Sequence, residues 1–68
     1  MTSEELVDLR VRLRLSQAAF ASLLGYRTDF YAGLEVGDLP IIPPVERRVR
    51  RIAAQILEKR GQGPHGDL

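Results

Sequence analysis

The sequence predicts an all-α fold, a compact bundle of four to five helices. Three observations carry it: apolar residues recur at helical spacing in successive stretches, glycine and proline punctuate the chain between them, and no stretch shows the alternation of a half-buried strand. The 68 residues leave room for one small domain, and a chain of this size buries only about 60% of the surface it exposes when unfolded. With no cysteine in the sequence, neither disulfides nor thiolate zinc sites can reinforce the core. Packing and self-association are the remaining means.

Each element follows from local chemistry. Ser3, with Glu4, Glu5 and Asp8 behind it, places negative charge at the positive end of a helix dipole, and reads as the cap of a first helix from Glu4 to about Leu13. Leu6, Leu9 and Leu13 share its inner face, with Arg12 and Arg14 displaced toward solvent. Ser16 is a good N-cap for a second helix, Gln17 to Leu24, in which Phe20, Ala21 and Leu24 face inward; Gly25 supplies the left-handed stop. After Tyr26 and Arg27, Thr28 and Asp29 open a third, short helix ending around Glu35, with Tyr31 and Leu34 on its core face. Gly33 inside it costs about 1 kcal/mol relative to alanine, and Gly37 terminates it.

The stretch "GDLPIIPP", residues 37–44, is a linker, because its prolines remove backbone donors and push preceding residues out of the helical region. Pro44 suits the first turn of a fourth helix, in which Val45, Val49, Ile52, Ala53, Ile56 and Leu57 recur at helical spacing through about Lys59. "GQGPHGDL" has no periodicity. The expected organisation is therefore one domain, residues 1–60, with a flexible C-terminal tail, 61–68.

Charge is patterned although its total is only +1. Arg10, Arg12 and Arg14 form one basic group; Arg47, Arg48, Arg50 and Arg51 form another. Such groups serve either as solvated helix faces or as a nucleic-acid footprint. No apolar run approaches the roughly 20 residues of a membrane span, and the acidic start "MTSEELVD" lacks the basic region of a secretory signal, so a cytoplasmic location without membrane partners is expected. Paired carboxylates, an activated nucleophile and a metal-ligand cluster are all missing, and His65 stands alone beside proline and glycine. The expectation is no enzyme, no cofactor and no metal.

Two short helices joined by a glycine-containing turn form either a plain corner of a helical core or a unit whose second helix enters the major groove. The residues themselves add to this. Leu9-Arg10, Leu15-Ser16-Gln17, Phe20-Ala21, Leu24-Gly25 and Glu35-x-Gly37 resemble, in order and spacing, the Cro/CI-type helix-turn-helix family over roughly residues 4–37. "IIPPVERRVRRIAA" is similar to the last segment of short phage and plasmid regulators of that kind. The resemblance implies a lambda-repressor-like fold with a central helix-turn-helix. It implies a sequence-specific transcriptional regulator, most simply a repressor, acting near the nucleoid on double-stranded DNA as a homodimer on a palindromic operator. A phage or mobile-element operon, including the anti-CRISPR-associated type, is the setting it suggests.

Position by position, the resemblance puts Ser16 and Gln17 against phosphate, where exposed amides and the helix dipole also favour an anion; the plain alternative is a cap and a surface amide. Ala21 matches the small residue at the helix crossing. Arg10 and Glu35 match a salt-bridged pair that leaves the guanidinium facing the DNA backbone; an ordinary surface pair, worth about 0–1 kcal/mol, is the alternative. Groove-facing positions are Arg27, Thr28, Asp29, Phe30, Ala32 and Gly33. Here the sequence departs from the family, which usually places amides and further arginines at several of these points. Arg27 can grip guanine or phosphate, Thr28 can donate to either, Phe30 can cover a thymine methyl, and Asp29 either accepts from cytosine or simply stabilises the helix start. Arg47, with Arg51 on the same face, is expected to flank the backbone. The poor polar content of "RTDFYAG" keeps a second reading open: a protein-interaction module with the same core that does not read bases. Ile41, Ile42, Ile56 and Leu57 supply apolar surface for core closure or for a homodimer.

Overall fold

Three of the four helices end by the same local device, and that device sets the architecture. In the computed structural model, which describes residues 1–65 and the side chains through residue 61, the elements are α1 (Ser3–Arg12), α2 (Gln17–Leu24), α3 (Thr28–Val36) and α4 (Pro43–His65), with no strand among the described residues. Gly25 takes φ +79°, and the amides of Gly25 and Tyr26 return to the carbonyls of Ser22 and Ala21 at 3.1 and 2.9 Å. This closes the last turn of α2 in the double hydrogen-bond pattern of a left-handed cap. Gly37 does the same for α3 at φ +86°, its own amide and those of Asp38 and Leu39 all pointing at the Gly33 carbonyl. At the end of α1 the left-handed residue is Arg14, φ 60°, with Arg14 and Leu15 bonded back to Val11 and Arg10 at 2.9 and 3.4 Å.

The helix starts differ in detail from expectation. α1 is capped by Thr2 rather than Ser3: the Thr2 hydroxyl accepts from the Glu5 amide at 3.1 Å while the Glu5 carboxylate accepts from the Thr2 amide at 2.7 Å. Reading from Ser3 places Leu6 at the reciprocal position; reading from Thr2 places Glu5 there and completes the box. Ser16 caps α2 as expected, accepting from the Ala19 amide at 3.0 Å. α4 starts at Pro43 and runs to His65 instead of ending near Lys59. Its late turns are tied down by Arg60, whose guanidinium donates to the Leu13 carbonyl at 2.6 Å, a long-range contact that local periodicity does not register. Residues 66–68 of the expected tail, and the His65 side chain, lie outside the described residues.

α3 packs against α1 and α2, and α2 against α4. The core between them consists of Leu6, Leu13, Phe20, Ala21, Leu24, Tyr31, Leu34, Val45, Val49 and Ala53. Each fully buried large apolar side chain contributes about 1.5–3 kcal/mol by leaving water. Phe20 and Tyr31 meet edge to face at 5.6 Å, an arrangement that adds about 0.5–1.5 kcal/mol. Ala21 is completely enclosed, so α2 lies close to its neighbours there. Leu9, Ile41, Ile52 and Ile56 pack partly against this core, whereas Ile42 and Leu57 remain about half exposed. The apolar surplus read from the sequence therefore divides: Ile41 and Ile56 close the core, and Ile42 and Leu57 do not.

Candidate nucleic-acid interface

The α2–α3 pair is locked to α1 by one polar cluster. Arg10 donates through Nε to Glu35 Oε2 at 2.6 Å, through Nη2 to Glu35 Oε1 at 3.1 Å and through Nη1 to the Leu15 carbonyl at 2.9 Å. Gln17 Nε2 donates to the same Glu35 Oε1 at 2.9 Å. One carboxylate on α3 thus gathers a guanidinium from α1 and an amide from the first turn of α2. The Glu35 side chain is only 4% exposed and that of Arg10 17%. Burial pushes the Glu35 carboxyl upward, but hydrogen bonds from Arg10, Tyr31 and Gln17 outweigh it and hold it below the ordinary 4.5. Arg10 is held correspondingly high by its bond to Glu35. The Tyr31 hydroxyl is buried without a well-formed hydrogen bond, yet it lies close enough to Glu35 to favour the carboxylate's charge. Burial is also the main reason its own phenol is held far up.

This cluster settles where Arg10 and Gln17 point. The Arg10–Glu35 ion pair that the resemblance implies is present, and Gln17, expected against phosphate, also donates to Glu35, so both side chains brace the helices against one another. The Ser16 hydroxyl oxygen accepts from the Ala19 amide and the side chain is exposed, so its own proton is directed elsewhere.

With Tyr31 and Leu34 fully buried, α3 turns Thr28, Asp29, Phe30 and, just before them, Arg27 to solvent. Arg27 and Asp29 are largely exposed and sit 3.4 Å apart, and Asp29 also accepts from the Phe30 amide at 2.9 Å. Asp29 therefore has a neutralising neighbour at the helix start, where its charge also complements the dipole. Phe30 is 38% exposed and rests edge-on against Tyr26 at 5.1 Å. Gly33 is a point of close approach, made by this chain's own loop. Leu39 folds over it so closely that a Cβ there would lie 2.8 Å from Leu39 Cδ1; the glycine makes room for the loop. Val36, not singled out in the sequence, is 68% exposed on this helix. Its signal was available, since it falls three residues after Gly33 and off the Tyr31–Leu34 face.

The arginine clusters separate by partner. Arg12 pairs with Asp8 at 3.0 Å and Arg50 with Glu46 at 2.9 Å, both four residues apart on one helix. Arg48 lies over the Tyr26 ring at 5.5 Å and donates to the Leu24 carbonyl at 2.9 Å, joining a cation–π contact to the negative end of α2. Among the described residues, Arg14, Arg47 and Arg51 enter no ion pair. Arg47 and Arg51, one turn apart on α4, are both exposed. Sequence reasoning missed the anchoring roles of Arg48 and Arg60, because a run of arginines carries no mark of which one finds a distant carbonyl.

The arrangement presents a short helix that turns Arg27, Thr28, Asp29, Phe30 and Val36 to solvent, with Leu39 laid over Gly33 between them. No family model, no curated protein and no solved structure matches the chain. No helix among the described residues is long and apolar enough to cross a membrane.

Proposed function

We propose that this chain is a sequence-specific DNA-binding regulator in which α2 and α3 act as a helix-turn-helix, α3 entering the major groove, and that it represses by occupying its operator as a homodimer. The observation that carries the reading is the brace of Arg10, Gln17 and Glu35. A carboxylate on α3 is gripped by α1 and α2 from the inner side, which leaves Arg27, Thr28, Asp29 and Phe30 together on the outer side. Arg47 and Arg51, which have no acidic partner among the described residues, supply cations for the flanking phosphates. The resemblance to Cro/CI-type regulators supports the same reading at the residues quoted above.

Selection of duplexes from a random pool, followed by a salt titration on the winner, tests it. A palindromic preference is expected, with affinity falling steeply as salt rises because phosphate neutralisation releases counterions. Arg27→Ala should weaken binding to the selected site about fivefold or more; unchanged affinity and preference would remove Arg27 from the interface. A second reading is favoured by the apolar surface of Phe30, Val36 and Leu39: a protein-interaction module on the same scaffold. It predicts that no duplex is enriched even at low salt.

A further inference from the structure

The face that α3 turns to solvent is short of hydrogen-bonding groups and rich in carbon. Phe30, Gly33 and Val36 follow one another at i, i+3 spacing, with Phe30 38% and Val36 68% exposed and Leu39 bridging the glycine between them. The polar groups beside this strip are the Thr28 hydroxyl and the Arg27–Asp29 pair. α3 contains no asparagine or glutamine, so the amide readers of adenine are missing. We propose that α3 reads the 5-methyl group of pyrimidines in the major groove, thymine in an unmodified duplex, through Phe30 and Val36, with Arg27 making the accompanying polar contact.

This inference rests on the DNA-binding reading above and names what that surface recognises. A methyl group is the apolar feature that base edges offer in the major groove. An apolar strip led by an exposed arginine, in a domain that also holds Arg47 and Arg51 with no acidic partner among the described residues, matches a methyl-bearing edge between two phosphate chains.

The test uses the full chain and its selected duplex at constant salt, with each thymine replaced in turn by deoxyuridine, which lacks only the methyl group. Replacement under α3 should weaken binding about three- to fivefold per methyl, and replacement outside that footprint should not. Phe30→Ala and Val36→Ala alter exposed side chains, so the helical circular dichroism should be retained. Each variant should bind the thymine duplex more weakly and lose the discrimination between thymine and deoxyuridine at the position its own side chain covers. If thymine and deoxyuridine bind the native protein alike at every position while one sequence is still preferred, methyl reading is overturned and DNA recognition stands. If no duplex is preferred at all, both fall, and the strip belongs to a protein partner.

Discussion

Arg14 occupies backbone space that L-residues avoid, at φ 60°, in a position where α2 and α3 use glycine. A side chain held there costs about 1 kcal/mol or more against the Cβ. Arg14→Gly should therefore raise stability by about 1 kcal/mol in a urea titration; no gain would show that the left-handed turn is not the solution conformation. Glu35 makes a second case. Its carboxyl is held below the ordinary 4.5 when folded, so its contribution is fully present above that value and is lost as pH falls through the lower folded one. The residue is screened from solvent but lies shallow in a very small domain, so loss of its charge costs about 2–3 kcal/mol near neutrality. Glu35→Gln is expected to unfold more easily at pH 7 and to show a flatter acid limb between pH 7 and the acidity at which the native carboxyl is protonated, where the two proteins converge. Parallel stability curves for the two proteins across that range would rule this out.

At the ends of helices, the chain was most legible where glycine or a hydroxyl marks the boundary. Ser16, Gly25 and Gly37 were all readable because their backbone or hydroxyl chemistry acts within one turn. Arg14 ends α1 by the same hydrogen bonds without the residue type that announces them. Gly33 shows the opposite failure: its type is visible, but its reason is a leucine six residues on that packs over it. Alanine at that position would gain about 1 kcal/mol of helix propensity and lose it to the displacement of Leu39. Gly33→Ala alone should thus be nearly neutral, and in a Leu39→Ala background it should stabilise by about 1 kcal/mol. Additive effects in this double-mutant cycle would show that the two residues do not meet.

For the molecule taken together, α4 is the element whose extent matters most. It continues to His65, is tied to the end of α1 by Arg60, and carries Leu57 about half exposed. In the proposed dimer this exposed leucine is one apolar side chain available to a second copy. Leu57→Glu should then shift sedimentation toward the monomer and weaken binding to a two-half-site duplex, while leaving the thermal stability of the monomer within about 0.5 kcal/mol of native. An unchanged sedimentation coefficient would place the dimer contact elsewhere. The division of the arginines is likewise a property of the assembled fold: Arg12 and Arg50 are neutralised four residues away, Arg48 and Arg60 reach distant carbonyls, and Arg47 and Arg51 stay free of acids among the described residues.

The amino-acid sequence alone determined the all-helical character, the positions of α2 and α3 to within a residue, and the apolar faces that meet in the core. These depend on forces acting within one or two turns: propensity, capping and the 3.6-residue period. Only the tertiary structure decided that Gln17 joins Arg10 on Glu35, that Leu39 covers Gly33, that Arg48 and Arg60 reach distant carbonyls, and that α4 runs past Lys59. Each of those depends on a partner brought near by the packing of other helices, and a side chain's choice among several distant partners leaves no trace in local spacing.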